Sequence, residues 1–474
     1  MRWRALLQGV WASGPGRLGL VLLAALLVIA VYVLVRYPLD YGTSRWSDPT
    51  AWTDNPKAAP PAWTNLLGPR RAVHRVMTAT EPAEVTSSGP AEIRTYRMPF
   101  TFSEDEAPGF LAFEMGTVSY HGRPPSFSVV LVRPDGHEVS LYRDVVRGPR
   151  PGEEPPYLRN VDQPMRVLLS SEDSTAEATI ALWEDAFGVT VTPTQVSRDP
   201  ETYLFGTPAE DGGVTTLQGD YAMEVRIAVA DPADSVAEVA TVVGGSVYGL
   251  LGTDTGGRDL AEGLLFGLPI ALAIGIAAAV VSTAIGTGRG LLSGYKGGKT
   301  DLVIQRAADI VYNVPLLPLL IFMVFVLGSQ LWLIMLVLVA FSWPGLTITI
   351  RSMILGLDGS QEVEAARALG APTRHVVMRH ILPHTLPFVV TTLIFSVPAA
   401  VLAEAGLSFI GLGDPSLPTW GQVLEQGYRT GAVYLGYWWW VVPPGLLIIL
   451  TAVTFMLIAI ALEPIVQPRL RRSG

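Results

Sequence analysis

The polarity pattern divides the chain into two kinds of stretch. Six runs are apolar and almost free of charge, at residues 18–35, 264–285, 310–327, 331–350, 386–403 and 438–462. Each has roughly the 20 residues that a helix needs to cross the hydrocarbon of a bilayer. The third and fourth are separated only by Gly328-Ser329-Gln330, which predicts a tight helical hairpin. Pro269, Pro315, Pro318, Pro344, Pro387, Pro398, Pro443 and Pro444 fall within these runs. Membrane helices tolerate proline where neighbours satisfy the freed carbonyls. Between the first and second runs the period changes. After a Trp- and Pro-rich stretch reaching about Pro90, the segments EIRTYRM, FLAFEMGTVSY, FSVVLV, HEVSLYRDVV, MRVLLS, ATIALWEDA and YAMEVRIAVA carry strand signals. Pro134-Asp135-Gly136 between two of them predicts a hairpin turn. The expected fold is an all-α membrane core of six transmembrane helices, with a large β-rich, sandwich-like insert after the first helix.

Composition and charge add an orientation. The 474 residues are 49% hydrophobic and 16% charged, with mean hydropathy +0.37, values of a membrane protein. There is no cysteine, which excludes disulfides, thiolate catalysis and Cys-based zinc sites. Residues 37–260 carry 32 acidic against 17 basic residues, a net of −15, whereas the remainder carries 10 against 16, a net of +6. Fourteen of those 16 basic residues fall in segments that the six spans place on one side. They are Arg2, Arg4, Arg17, Arg289, Lys296, Lys299, Arg306, Arg351, Arg367, Arg374, Arg379, Arg469, Arg471 and Arg472. Basic loops mark the cytoplasmic side, so both termini are expected there and the acidic insert outside. The first run is long for a signal peptide, and VRYPLD after it offers no small-x-small cleavage site, so it reads as an uncleaved anchor. The expected organisation is a cytoplasmic tail (1–17), a first transmembrane helix (18–36), an extracytoplasmic insert (37–250), a core with five helices (251–466) and a cytoplasmic tail (467–474).

GYKGGKTD, Gly294 to Asp301, ends like the tail of a nucleotide-binding loop. Such a loop needs a glycine five positions before its Gly-Lys pair, so that backbone N–H groups can wrap a phosphate. That position is Ser293, and no strand precedes it. The glycines suit a tight reversal between two membrane helices instead. Between the fourth and fifth runs lies DGSQEVEAARALGAPTRHVVMRHILPHTLP, a loop spanning about 358–384. Ser360 predicts an N-cap with Glu362 in the first turn, and residues 364–369 are strong helix formers. Gly370 predicts a stop, and Pro372 opens a second short helix reaching Ile381-Leu382, where Pro383 and Pro387 turn the chain back into the membrane. The expected product is a helix–glycine–helix knob, with alanines permitting close approach and Glu364 offering charge.

Glu364, Ala365, Ala366, Gly370, Leu382 and Pro383 match in type and spacing the EAA…G…LP signature of permease subunits of binding-protein-dependent ABC importers, which the chain resembles in their dipeptide/oligopeptide branch. Three further stretches resemble that family in the same order. GTDTGGRD is similar to its GTDxxGRD motif through Thr253, Asp254, Gly257, Arg258 and Asp259, and Asp259 with Glu262 is expected to cap the next helix. GYKGGKTD is similar to GYxGGxxD through Gly294, Gly297, Gly298 and Asp301, and Arg306, Asp309 and Pro315 continue the pattern. LSFIGLGDPSLPTWGQVL is similar to LSFLGLG…WG through Gly411, Gly413, Trp420 and Gly421. The resemblance implies a type I importer permease of the inner (cytoplasmic) membrane, with no catalytic residue, metal or cofactor of its own. It implies that segment 358–384 docks in a groove of an ATPase subunit. The implied partners are a second homologous permease, two ATP-binding subunits that hold ATP and Mg, an extracytoplasmic substrate-binding protein and membrane lipid, but no nucleic acid. Peptides are the implied substrate, with oligosaccharides or nickel as an alternative. A non-pumping receptor with a ligand-binding outer domain is a second alternative, against which the coupling spacing argues.

The insert lies outside the resemblance, since this segment is usually short in the family. The His-Pro that often precedes the GTD motif is replaced by Tyr248-Gly249-Leu250-Leu251. His74, His121 and His137 show no ligand or triad spacing, and Gly245-Ser246-Val247-Tyr248 lacks the second glycine of a nucleophile elbow. Glu104-Asp105-Glu106 and Glu153-Glu154 read as a solvated face, leaving docking of the binding protein or a structural cap as the expected roles. Arg306 and Asp309, one turn apart, are expected to form a structural ion pair. Glu404, at the outer end of the fifth run, is expected either to line the pathway or to reach water. Trp438-Trp439-Trp440 is expected to form an interfacial belt.

Overall fold

The computed structural model describes residues 9–88, 91–210 and 212–466. The chain forms two compact units, Met1–Pro49 with Leu260–Gly474, and Thr50–Asp259. The insert thus begins and ends later than the 37–250 expected from sequence. Residues 37–49 pack into the first unit, where Tyr41 and Trp46 are each 1% exposed. The predicted tail 467–474 and residues 1–8 of the tail 1–17 lie outside the described residues.

In chain order the longer helices of the first unit are α1 (Gly14–Arg36), α2 (Leu260–Lys296), α3 (Gly298–Asn313), α4 (Leu316–Leu327), α5 (Leu331–Asp358), α6 (Gln361–Ala368), α7 (Thr373–Phe409), α8 (Trp420–Arg429) and α9 (Trp438–Val466). Of these, α1, α2, α5, α7 and α9 are long and apolar enough to cross a bilayer. The expected straight span at 310–327 is instead a bent pair, because α3 and α4 meet at 78°. Pro315 forces the preceding Val314 into an extended conformation and sits at the N-cap of α4. The 12 residues of α4 reach about 18 Å, short of the roughly 30 Å hydrocarbon thickness. Pro383 and Pro387 do not deflect α7 either. A π turn at Val377–Ile381 precedes them, and its wider spacing accommodates a proline ring that would crowd a regular turn.

Close helix approach depends on small residues, the usual device where lipid supplies no hydrophobic drive. A Cβ on Gly290 would lie 2.7 Å from that of Ile350, and one on Gly294 would lie 2.8 Å from that of Ile354, so α2 and α5 meet along a glycine stripe. Thr347 Oγ1 adds a hydrogen bond to the Gly286 carbonyl at 3.1 Å. Of the tryptophan triplet only Trp438 is exposed as a belt residue would be. Trp439 and Trp440 are buried, and Trp440 Nε1 donates to the Val423 carbonyl at 3.0 Å.

In the second unit, strands β1 (Arg75–Ala79), β2 (Glu84–Ser88), β3 (Ala91–Phe102), β4 (Phe110–Met115), β5 (Val118–Tyr120), β6 (Ser126–Val132), β7 (Glu138–Val145), β8 (Tyr157–Arg159), β9 (Met165–Leu168), β10 (Gly206–Pro208), β11 (Val214–Thr216), β12 (Gly219–Val229), β13 (Ser235–Val236) and β14 (Val239–Gly244) pair antiparallel throughout. A five-stranded sheet in order β2-β3-β12-β6-β7 and a four-stranded sheet in order β1-β14-β4-β9 contribute Tyr96, Phe113, Phe127, Val225 and Val243 to one core. That is sandwich packing. Two of the strands lie before Pro90, in the stretch read as irregular. The segment ATIALWEDA, read as a strand, belongs to a helix, Asp173–Phe187. Ala176, Thr179, Leu182 and Trp183 bury one face of it, and Gly188 at φ +64° ends it.

The acidic clusters are not simply solvated. Glu104 is 3% exposed and accepts from Arg75 at 2.5 Å, and Glu153 pairs with Arg159 at 2.6 Å. Burial pushes the Glu201 carboxyl, which bonds the Ser170 hydroxyl, up to about 7. Burial also lowers His74 to about 4, its two ring nitrogens having no partner among the described residues.

Candidate functional site

The knob after α5 is built from a short helix closed by one glycine. Ser360 holds the extended N-cap conformation, but no side-chain cap bond forms. Its carbonyl accepts from the Val363 and Glu364 amides at 3.0 Å each. At the other end Gly370 adopts φ +75°, the Ala371 amide reaches the Ala366 carbonyl at 3.0 Å, and the Gly370 amide reaches that of Arg367 at 2.9 Å. This pair of bonds is the Schellman closure, which needs a left-handed residue. The inner face of α6 is Val363 and Ala366, packed on Ile350, Ile354, Val376 and Ile381. The outer face exposes Glu364, Ala365, Ala368 and Leu369, the last 88% exposed. Leu382 is half-buried and Pro383 exposed within α7. Sequence reading missed Leu369, although a leucine directly before the stop glycine is itself a signal, since C-terminal positions of a short helix are poorly covered.

Arg367 explains how the knob is held. Its Nη2 donates to Asp358 at 2.5 Å, and its guanidinium lies 4.9 Å from the centre of the Tyr295 ring. Tyr295 is the second residue of GYKGGKTD, so that motif supports the knob. The motif itself is the end of α2, a turn with Gly297 at φ +61° and Gly298 at φ +54°, and the start of α3. Lys299 is exposed on the first turn of α3, with a helix rather than a strand before the loop. Asp301 accepts two bonds from Arg351 of α5, each at 2.6 Å, and one from Ser293 of α2 at 2.5 Å. Gln305 donates to Ser293 at 2.8 Å. One carboxylate thereby joins three helices. The expected pair Arg306–Asp309 is present at 3.8 Å but mostly exposed, and ties nothing together beyond its own turn.

The remaining motif residues form structural knots. Thr253 and Asp254 are fully buried. Thr253 Oγ1 donates to the Pro56 carbonyl at 2.7 Å, and the Asp254 carboxylate collects the Gly256 and Arg258 amides and the Arg258 guanidinium. Gly257 sits at φ +82°, its carbonyl accepting from Asn55 at 2.9 Å. The loop thus joins the two ends of the insert. Helix α2 begins at Leu260, directly after Asp259, and Glu262 faces Arg45 at 3.4 Å. At the far end of α7, Gly411 is left-handed, Gly413 presses on Ser408, and Gly421 lies against the backbone of Ala405. Trp420 Nε1 donates to the Leu264 carbonyl at 3.1 Å. Glu404 does not reach water. It is 1% exposed and accepts from Ser408 at 2.8 Å.

Comparison with known proteins places these elements. The family described as the inner membrane component of binding-protein-dependent transport systems matches residues 286–472. The oligopeptide transport system permease protein OppC of Haemophilus influenzae is 35% identical over 181 residues, 38% of this chain and 58% of that protein. The dipeptide transport system permease protein DppC of Bacillus subtilis is 32% identical over 222 residues, 47% of this chain and 69% of that protein. The glutathione transport system permease protein GsiD of Pectobacterium atrosepticum is 33% identical over 222 residues, 47% of this chain and 73% of that protein. The match to OppC thus spans less than two thirds of that relative's own length.

Proposed function

Because the chain belongs to the family of inner-membrane components of binding-protein-dependent transport systems, we propose that it is the permease subunit of an ATP-driven importer of short peptides. The observation that carries this reading is the knob, an exposed Glu364–Ala365–Leu369 face on a helix locked to α2 and α5 through Arg367. A rigidly held surface lowers the ordering cost that a docking partner must overcome. On this reading two ATPase subunits bind MgATP and grip the knob, a second permease completes the bundle, and an extracytoplasmic binding protein delivers substrate. Both termini and the knob lie on the cytoplasmic side, and the β-sandwich lies outside, where it meets the binding protein or caps the assembly. Closure of the ATPases would move the knob and tilt the bundle, a population shift driven by the difference in nucleotide affinity between the two states. Peptide as cargo rests on the names of the relatives. The test is purification of the chain with its co-expressed partner subunits, followed by assays of ATP hydrolysis and of tripeptide uptake into vesicles. Peptide-stimulated hydrolysis with uptake supports the proposal. A chain that purifies without ATPase subunits, and binds ligand without transport, would refute it in favour of a receptor.

A further inference from the structure

A cavity of about 320 Å3 opens between α2, α5 and α7. Its wall combines alanines and the larger apolar Leu338, Leu346 and Phe388 with six hydroxyl residues, Ser282 and Thr283 on α2, Ser342 and Thr349 on α5, and Thr392 and Ser396 on α7. Among the described residues that line it, none carries an ionisable group. Four of the hydroxyls already donate into their own helices. Ser282 bonds the Ala279 carbonyl at 3.3 Å, Ser342 that of Leu338 at 2.5 Å, Thr349 that of Gly345 at 3.0 Å, and Ser396 that of Thr392 at 2.8 Å. A hydroxyl that has committed its proton keeps its lone pairs, so towards the cavity it can only accept. These four hydroxyls therefore offer acceptors matched to N–H donors within an otherwise largely apolar wall, with no charge that would hold one particular side chain. A path must bind its cargo well enough to admit it and weakly enough to release it.

Resting on the importer reading above, we propose that this cavity is the chain's share of the substrate path, and that its hydroxyls read the backbone N–H groups of short peptides whatever their side chains. The experiment uses the assembled transporter in proteoliposomes, with Ser342→Cys or Ser396→Cys placed in a chain that has no cysteine of its own. Labelling of that cysteine by a methanethiosulfonate reagent is followed by mass spectrometry of this chain. The probes are alanyl-alanine and its analogue methylated on the peptide nitrogen. Alanyl-alanine should slow labelling about fivefold more than the methylated analogue, the worth of roughly one hydrogen bond. Combined Ser342→Ala and Ser396→Ala should raise the half-saturating alanyl-alanine concentration for uptake about tenfold, and the two Ser→Thr changes should restore it. Equal protection by both dipeptides, or no labelling in a transporter that still moves peptide, overturns the proposal. A wild-type transporter that moves no peptide, but whose ATPase responds to a sugar or to nickel, overturns the reading of peptide as cargo, on which this proposal rests. That failure is recognisable without any variant.

Discussion

Replacement of Gly370 isolates the backbone from every other contribution. Its φ is +75°, and a Cβ built there would meet nothing within 4 Å. A side chain therefore costs only the left-handed strain, about 1–2 kcal/mol for alanine, less for asparagine and most for a β-branched residue. That is too little to unfold the chain. It is enough to change the population of the closed knob by a factor of roughly 5–30, because relief of the strain breaks the two bonds that turn α6 onto α7. Retention of ATPase subunits on a tagged chain, and the initial rate of peptide uptake, should both fall in the order Gly, Asn, Ala, Val. The amount of partner permease should stay constant. Gly290→Ala is the contrasting control. That position is helical, and the new Cβ would sit 2.7 Å from Ile350, so it should lower the melting temperature of the bundle by overpacking instead. If all three Gly370 variants kept their ATPases and transported normally, or if Gly290→Ala gave the same phenotype, the left-handed joint would not be what places the knob.

Leu369→Glu should release the ATPase subunits without altering thermal stability, since the leucine is 88% exposed; a lowered melting temperature would show that it packs within the chain instead. Glu364→Lys should cut uptake while sparing membrane insertion, and uptake at the wild-type rate would remove Glu364 from the docking face. Arg351→Ala leaves the Asp301 carboxylate without its strongest donor and should cost about 1–3 kcal/mol of stability in detergent, visible as a lower melting temperature, whereas Lys299→Ala should change nothing. A cysteine at Ser140 should react with an impermeant maleimide in intact cells and one at Gln361 only after permeabilisation; the reverse pattern would invert the orientation. In the insert, Glu201 is protonated when folded up to about pH 7 but ionises from 4.5 when unfolded, so it destabilises as pH rises; His74, neutral when folded down to about pH 4, destabilises as pH falls below 6.5. Glu201→Gln should therefore leave stability rising between pH 4.5 and 6.5, and His74→Asn should leave it falling, each by up to about 3 kcal/mol by urea titration; two rising slopes would contradict the Glu201 assignment and two falling slopes that of His74.

What the sequence disclosed follows from how local each determinant is. Gly370 was legible because left-handed closure depends on one residue and its immediate neighbours. The long apolar runs behind α2, α5 and α9 were legible because membrane thickness is a length criterion. The run at 310–327 misled for a complementary reason. Hydropathy counts apolar residues but not backbone direction, and Val314-Pro315 turns the chain by 78° without any loss of hydrophobicity. ATIALWEDA misled because alternation over nine residues also fits a helix with Ala176, Thr179, Leu182 and Trp183 on one face. Asp301–Arg351 could not be seen at all. Fifty positions separate the partners, and only the approach of α5 along the glycine stripe of α2 brings them together.

These contacts also bear on how a push on the knob would reach the cavity. The cavity lies between α7 on one side and α2 with α5 on the other. Helices α2 and α5 are bound to each other by the glycine stripe, by Thr347 on the Gly286 carbonyl, and by Asp301, which adds α3. They are therefore expected to move as one body. Helix α6 touches that body through Arg367 on Tyr295 and Asp358, yet it continues covalently into α7 across Gly370. The knob thus sits at the joint between the two walls of the cavity. A displacement there would change their separation directly, and the walls need not deform. The same geometry separates two ways of failing. Loss of Arg367 would free the knob from one wall and leave ATP hydrolysis running without transport, whereas strain at Gly370 would alter the angle to the other wall and weaken docking itself. Those two signatures, uncoupled hydrolysis against lost ATPase, are what a joint predicts and a passive linker does not.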